Sequence, residues 1–177
     1  MTTPAVSFVA KSGTGKTTLL EKVVAELKRR EYKVGTVKHG AHHFDIDHPG
    51  KDSFRMAAAG ADTVLITSKD KLALIRKHRV EPPLKELIEA HFTDMDIVLV
   101  EGFKQNDLPK VEVHRQDRRS TMLCRGEKYD SSLVAVASDE PLPIDVPVLD
   151  LNDPGQVADF IVKTFLSKMP RQVRARQ

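Results

Sequence analysis

The chain has 177 residues, of which 40% are hydrophobic and 30% are charged, and its formal net charge is +3. This length suits one domain, and the composition is that of an ordinary globular protein, which excludes general disorder. The small basic excess lies mainly near the end of the chain, and this argues against nucleic acid as the main partner. We therefore expect one domain over residues 1–168 and a basic tail over residues 169–177.

The single cysteine, Cys124, excludes an internal disulfide and indicates a reducing compartment. The N-terminal segment lacks the basic start and the long apolar run of a signal peptide. Apolar runs such as residues 97–100 are much shorter than the roughly 20 residues that a membrane-spanning helix needs. The sequence therefore predicts a cytoplasmic protein that does not contact a membrane.

Short runs rich in Val and Ile alternate with segments of helical spacing along the whole chain. This alternation is typical of an α/β protein with a mostly parallel central sheet flanked by helices. The predicted strands are residues 6–10, 33–38, 63–67, 72–76, 97–101, 111–114, 133–137 and 147–149.

Three segments between the strands have the apolar spacing of amphipathic helices. The first follows Lys16, and its apolar stripe consists of Leu19, Leu20, Val23, Val24 and Leu27. A second helix is opened by the proline pair at 82–83. The last is capped by Asn152 or Asp153 and has Pro154 in its first turn. Its expected buried stripe consists of Val157, Phe160, Ile161 and Phe165.

Two long polar segments interrupt this pattern. Residues 39–53 are rich in His and Asp, contain Gly and Pro, and are predicted to form a functional loop after the second strand. Residues 115–132 are predicted to form a mobile basic insertion between two later strands. Loops of this length in a compact domain usually bind a ligand or move.

Residues 10–17 match the P-loop pattern at every position except the first, where Ala10 replaces glycine. Small residues and glycines let successive backbone N–H groups point at phosphate oxygens, and the following helix adds the positive end of its dipole. A glycine turn with an incidental lysine is the alternative, but this motif lies between an apolar strand and an amphipathic helix, as a phosphate site requires. The predicted phosphate-binding residues are Ser12, Gly13, Thr14, Gly15, Lys16, Thr17 and Thr18. Lys16 would reach the β and γ phosphates, and the Thr17 hydroxyl would ligate Mg²⁺.

A P-loop works with an acidic residue at the end of a neighbouring strand, which holds the magnesium ion or its water. Glu101 follows four apolar residues that indicate a strand buried on both faces. The side chain would emerge at the carboxyl edge of the sheet, where open α/β sheets bind ligands. We therefore predict that Glu101 belongs to the magnesium site, either in contact with the metal or positioning a water. A solvent contact at a strand end is the alternative.

Lys11 has two interpretations. It resembles the signature lysine of a deviant class of P-loop proteins, whose members often sandwich nucleotides between two subunits. It could equally be a solvent-facing lysine, because Ser12 replaces the glycine expected beside it.

The residues His42, His43, Asp45 and Asp47 could hold a metal, since imidazole and carboxylate groups suit Zn²⁺ or Mn²⁺. They lack the thiol pattern or the helical spacing of two histidines that a permanent zinc site usually shows. We instead expect them beside the γ-phosphate, where Asp45 or Asp47 would touch Mg²⁺ through water.

Five segments follow one another in a distinctive order and spacing. They are AKSGTGKTTLLEKVV from residue 10, VGTVKHGAHHFDIDHPGKDSFRMAAAGA from 34, DIVLVEGFK from 96, PKVEVHR from 109 and LVAVASDEPL from 133. Together they resemble the MobB family of molybdopterin-guanine dinucleotide biosynthesis adaptor proteins, over nearly the whole chain up to about residue 165. Ala10 and Lys11 depart from the family pattern.

This resemblance implies a P-loop NTPase fold, with GTP and Mg²⁺ as ligands and with a homodimeric assembly. It also implies an adaptor that assists the molybdenum cofactor guanylyltransferase, the enzyme that attaches GMP to molybdopterin. Any catalysis by the chain would be slow Mg²⁺-dependent GTP hydrolysis, in which Lys16 and Glu101 would take part. Asp139 follows a strand where P-loop proteins often contact the base, so it could accept hydrogen bonds from guanine or, equally, cap a loop.

Two further functions remain open from the residues. A small-molecule kinase would use the P-loop together with a basic lid over the transferred phosphoryl group. The lid would contain Arg115, Arg118, Arg119, Arg125 and Lys128. An interaction module would instead use the basic tail, through Arg171, Arg174 and Arg176.

Overall fold

The computed structural model describes residues 3–40, 44, 46–103, 105–118 and 121–167 of the chain. The chain divides into two compact units, one made of residues 1–39 and 87–177 and the other of residues 40–86. The basic tail predicted over 169–177 lies outside the described residues.

Eight strands are present in the described parts of the chain, and each corresponds to a strand predicted above. They are β1 (Ala5–Val9), β2 (Val34–Lys38), β3 (Thr63–Thr67), β4 (Leu72–Arg76), β5 (Ile97–Glu101), β6 (Lys110–His114), β7 (Leu133–Ser138) and β8 (Val148–Asp150). Six of them form one parallel sheet in the order β2-β5-β1-β6-β7-β8, whereas β3 and β4 form a separate antiparallel pair. The predicted mostly parallel α/β fold is therefore confirmed.

The order of the sheet places β1 at its centre, between β5 and β6. Both β1 and the first four residues of β5 are buried, which explains why their residues are apolar apart from Ser7 in β1. In the register of this pair, Phe8 stands beside Glu101. Because all strands of the sheet run in parallel, the segments that follow β1, β5, β6 and β7 emerge at one edge.

The described residues contain four α-helices: α1 (Lys16–Arg29), α2 (Asp52–Ala58), α3 (Leu84–His91) and α4 (Pro154–Ile161). α1 and α4 pack together against one face of the sheet. Asp153 caps α4, as one of the two predicted alternatives, because its carboxylate accepts a hydrogen bond from the Gln156 N–H.

The predicted helical stripes are largely confirmed. Val23 and Leu27 of α1 and Val157 and Ile161 of α4 are completely buried. The expectation of a buried position was wrong for Phe160 and Phe165, which are only partly buried at the margin of the core. Ala158 lies fully inside instead, because a methyl group fits where α4 approaches the sheet.

Part of the predicted mobile insertion packs on the opposite face of the sheet. Residues Leu123–Glu127 form a π-helical turn, and Cys124 is buried there with Val9 and Val136. The buried carboxylate of Glu112 accepts hydrogen bonds from the N–H groups of Leu123 and Cys124, at 2.6 and 2.9 Å. This part of the insertion is therefore packed, not an open loop, because a carboxylate from β6 satisfies the start of its helical turn.

The unit formed by residues 40–86 contains α2 and the β3–β4 pair. Its hairpin turn is closed by a hydrogen bond from the Ser68 N–H to the Lys71 carbonyl, at 2.8 Å. Several large apolar side chains of this unit are exposed: Met56, Leu65, Ile66, Leu72 and Leu74. Among the helices that the structure describes, none has the length and apolar character to cross a membrane.

Candidate nucleotide-binding site

The segment between β1 and α1 forms a tight loop that requires two glycines. Gly13 and Gly15 have φ angles of +79° and +84°, in the left-handed region that favours glycine. Gly15 is also the N-cap of α1, and its carbonyl accepts the Leu19 N–H at 2.9 Å. The N–H groups at the start of α1 therefore point toward the loop, where they could donate hydrogen bonds to an anion.

Thr14 supports this loop from inside. Its side chain is 2% exposed, and its hydroxyl donates a hydrogen bond to the Lys11 carbonyl at 3.1 Å. Ser12, Thr17 and Thr18 are exposed, so their polar groups can reach a ligand. The predicted phosphate-binding residues thus occupy one continuous loop and helix start.

Glu101 lies at the end of β5 and contacts this loop directly. Its Oε1 accepts a hydrogen bond from Lys16 Nζ and another from Thr17 Oγ1, both at 2.8 Å. Lys38, from the end of β2, places its Nζ 3.8 Å from Oε2 of the same carboxylate. The predicted proximity of Glu101, Lys16 and Thr17 is therefore present, and Lys38 is an addition that the sequence did not single out.

These contacts set the charge of the carboxylate. Partial burial acts to raise the pKa of Glu101, but the hydrogen bonds from Lys16 and Thr17 and the charges of Lys16 and Lys38 outweigh it. The pKa of Glu101 consequently lies below its usual value, so the side chain is an anion at neutral pH.

The turn after β5 holds Glu101 in place. Gly102 has a φ of +92° and Phe103 one of +48°, so the chain bends sharply away from the strand. The Ser7 hydroxyl donates to the Gly102 carbonyl at 3.0 Å, and the Asn106 amide donates to the Ser7 oxygen at 3.2 Å. β1 thus supports both the phosphate loop and the turn that carries its acidic partner.

Asp139 lies at the end of β7 and makes the contact of a loop cap. One carboxylate oxygen accepts the Gln116 N–H at 2.9 Å, and the other is 3.7 Å from an Arg115 guanidinium nitrogen. This is the loop-capping alternative stated above. Contact with a base by Asp139 stays a prediction.

The arginines of the expected basic lid are placed differently from one another. Arg115 approaches the phosphate loop, where its Nε donates to the Thr14 carbonyl at 3.3 Å. Arg125 is bound to Asp145, with a shortest distance of 2.8 Å, and lies 4.3 Å above the ring of Tyr129. Arg125 is therefore engaged on the other face of the sheet, and this removes it from a lid over the phosphate loop.

The His/Asp loop is only partly described. Asp47 accepts the His48 N–H at 2.9 Å, and both residues belong to the unit of residues 40–86. Asp45, His42 and His43 lie outside the described residues. Within the described part of the chain, no group of three or more His, Cys, Asp or Glu side chains could hold a metal ion.

The groups that surround the phosphate loop fit a magnesium-bound triphosphate. A lysine ammonium suits phosphate oxygens, whereas a hydroxyl and an ionised carboxylate suit Mg²⁺ or its bound water. Lys16, Thr17 and Glu101 supply these three groups within hydrogen-bonding distance of one another.

Comparison with known proteins agrees with this geometry. Residues 5–139 match the family model described as MobB, molybdopterin guanine dinucleotide synthesis protein B. The molybdopterin-guanine dinucleotide biosynthesis adapter protein of Haemophilus influenzae is 39% identical over 160 residues, which cover 89% of this chain and 87% of that protein. The protein of the same description from Escherichia coli is 38% identical over 169 residues, covering 90% and 92% of the two chains.

A solved structure shares the fold as well. The crystal structure of a molybdopterin-guanine biosynthesis protein B superposes with a TM-score of 0.72 at 27% identity, covering 90% of this chain and 98% of that one. The likeness therefore includes both units of the chain.

Proposed function

Because this chain belongs to the MobB family and is an adapter in molybdopterin guanine dinucleotide biosynthesis, we propose that it acts by binding GTP and Mg²⁺ at its phosphate loop. The observation that carries this proposal is the contact of Glu101 with both Lys16 and Thr17, beside two left-handed glycines. A glycine turn without a ligand would not need a partly buried acidic partner from the neighbouring strand of the sheet.

Each group has a chemical role in this proposal. The backbone N–H groups from Ser12 to Thr17 bind phosphate oxygens, and Lys16 neutralises the charge of the β and γ phosphates. Thr17 and Glu101 would hold Mg²⁺, directly or through its water, and the bound ion would neutralise triphosphate charge. Hydrolysis at this site would be slow at most.

The outer parts of the site are proposed from the sequence. Asp45 or Asp47 would contact Mg²⁺ through a bound water, and Lys11 would lie at the margin of the phosphate loop. Asp139 would accept hydrogen bonds from guanine, since an ionised carboxylate has acceptor sites beyond those that its contacts with Gln116 and Arg115 use.

For the partners, we propose the molybdenum cofactor guanylyltransferase and a second copy of this chain. The exposed apolar side chains of β3 and β4 support the homodimer, since monomeric proteins seldom expose such clusters. The test for the enzyme partner is co-purification with the guanylyltransferase, with and without GTP, together with the rate of product formation. Absence of both binding and stimulation would contradict this partner.

Nucleotide binding is tested by titration calorimetry with GTP and with ATP in the presence of Mg²⁺. We expect binding of GTP that exceeds binding of ATP. Preference for ATP would overturn the choice of base, and absence of binding by either nucleotide would overturn the phosphate site.

The substitution Lys16→Ala tests the phosphate contact. We expect GTP affinity to fall by about 10- to 100-fold, because a charge-assisted contact with phosphate is lost. Lys22→Ala, on the exposed face of α1, removes the same charge away from the loop and serves as the control. Equal affinity of the two variants would show that Lys16 is not the phosphate ligand.

The small-molecule kinase has no comparable support. Of its proposed lid, Arg125 is bound to Asp145, and Arg115 lies beside the phosphate loop.

A further inference from the structure

Arg115 occupies a position that the nucleotide site, as proposed above, does not use. It follows β6, the strand on the other side of β1 from β5. Its Nε donates a hydrogen bond to the Thr14 carbonyl at 3.3 Å, and a β-carbon placed on Gly15 would stand 3.4 Å from its Nη2. The guanidinium thus lies against the two residues at the centre of the phosphate loop.

The other side of the same guanidinium faces Asp139, with 3.7 Å between Nη1 and Oδ2. Asp139 is itself held, because its Oδ1 accepts the Gln116 N–H at 2.9 Å. Arg115 therefore spans from the phosphate loop to the end of β7. The Arg115 side chain as a whole is 34% exposed.

The strand ends that carry this bridge are joined at a second point. His114 Nε2 lies 3.3 Å from Glu140 Oε1, and the Ser138 hydroxyl oxygen accepts the Glu140 N–H at 3.1 Å. In the sheet, His114 stands beside Ser138. The ends of β6 and β7 therefore provide a fixed support for the arginine that reaches the phosphate loop.

We propose that Arg115 is a positioning residue, which holds the phosphate loop in its binding conformation by bridging Thr14 to Asp139. A loop with two left-handed glycines has many alternative conformations, and each must be lost when phosphate binds. A planar guanidinium with several donors can contact two acceptors at once, so it restricts the loop before a ligand arrives. This inference rests on the proposed nucleotide site.

The test compares Mg²⁺–GTP and Mg²⁺–GDP affinities of the unaltered chain, Arg115→Ala and Arg115→Lys by calorimetry. We expect Arg115→Ala to lower the affinity for both nucleotides by about tenfold, and to a similar degree, because both bind through the phosphate loop. Arg115→Lys should recover less than half of this loss, since one ammonium does not reproduce the fork geometry of the guanidinium. Full recovery by lysine would overturn the bridge and show that positive charge alone matters.

Arg29→Ala is the matched control, because Arg29 lies at the far end of α1 and pairs with Glu26 on the surface. It should bind both nucleotides like the unaltered chain. If Arg115→Ala and Arg29→Ala bind the nucleotides with equal affinity, the inference is overturned and the proposed nucleotide site is left intact. Failure of the unaltered chain to bind would instead overturn the proposed function on which the inference rests.

Asp139→Asn gives a second test that leaves Arg115 in the chain. The ligand here is inorganic triphosphate with Mg²⁺, which lacks the base that Asp139 is proposed to contact; if Asp139 acts through Arg115, its substitution lowers this affinity in the unaltered chain but has no further effect in Arg115→Ala. Losses that add in the double variant would overturn the bridge, because Asp139 would then contribute independently. Melting temperatures of all variants separate these effects from a general loss of folding, which would lower the melting temperature together with affinity.

Discussion

The carboxylate of Glu101 accepts two hydrogen bonds from the side chains that a triphosphate and its metal would use. At neutral pH it is ionised, because these donors and the charge of Lys38 outweigh the effect of partial burial on its pKa. An anion in this position attracts Mg²⁺ and also keeps Lys16 and Thr17 directed into the phosphate loop. One residue therefore contributes to both metal affinity and the arrangement of the ligands.

We predict that Glu101→Gln reduces GTP affinity measured with Mg²⁺ by about tenfold or more. Substitution of a residue that supports a metal site typically lowers metal affinity by about 10- to 100-fold. Binding measured with a chelator present should change much less, because the amide removes only the metal-attracting charge. Calorimetry with and without Mg²⁺ checks this difference. Glu21→Gln, on the exposed face of α1, is the control. An equal loss with and without Mg²⁺ would contradict a metal role for Glu101.

At the scale of elements, the segment between β6 and β7 is held by charges from β6. The Lys110 side chain is 3% exposed and lies 2.8 Å from Asp130, and its Nζ also donates to the Ser132 hydroxyl at 2.9 Å. Burial acts to raise the pKa of Asp130, but the hydrogen bonds from Lys110 and Ser132 prevail and lower it from 3.8 to about 2. The ionised form of Asp130 is therefore favoured by folding.

This shift predicts a pH dependence of stability. Folding lowers the pKa of Asp130, so this residue stabilises the folded chain. Its contribution to the free energy of unfolding is complete above about pH 4 and is lost as the pH falls from 3.8 to about 2. We expect the free energy of unfolding of Asp130→Asn at pH 7 to be about 2 kcal/mol lower than that of the unaltered chain. Denaturant unfolding should show this difference shrinking below pH 4.

The exposed Asp117 provides the control for this experiment, because Asp117→Asn makes the same chemical change outside the Lys110 contact. Its free energy of unfolding should differ from that of the unaltered chain by less than about 0.5 kcal/mol. A difference between Asp130→Asn and the unaltered chain that stays constant down to pH 2 would contradict the ion pair as its source.

For the whole molecule, the proposed nucleotide site is assembled from residues far apart in the sequence. Lys16, Glu101 and the supporting Arg115 lie at or beyond the ends of three adjacent strands of one parallel sheet, so the strand order brings them together. A ligand that binds Lys16 and Glu101 stabilises the sheet that carries these two residues, since it binds the folded chain and not the unfolded one.

We predict that Mg²⁺–GTP at about 100 times its dissociation constant stabilises the chain by about 2.7 kcal/mol and raises the melting temperature by about 5–10 °C. Differential scanning calorimetry across a GTP concentration series measures the rise, and Lys16→Ala should show a much smaller one. A melting temperature independent of GTP concentration would contradict binding to the folded chain.

Much of the fold follows directly from local sequence. The strands were predictable because buried parallel strands are continuously apolar, as in residues 97–100, and α1 was predictable from its apolar stripe. The packing of residues 122–130 was not predictable. Its many polar residues favour a loop, and the sequence does not show that the buried charges of Glu112 and Lys110, on the neighbouring strand β6, satisfy several of them.

By itself, the sequence determined which segment is the candidate phosphate loop, because its glycines, Lys16 and Thr17 are neighbours in the chain and need no distant partner to be recognised. It also indicated Glu101, since an acid after an apolar strand must emerge at the ligand-binding edge. Only the tertiary structure decided that Arg115 contacts Thr14, that Asp139 holds Arg115, and that Arg125 lies elsewhere. Such contacts depend on which strands are adjacent, and strand order arises from packing of the whole sheet, not from any local pattern.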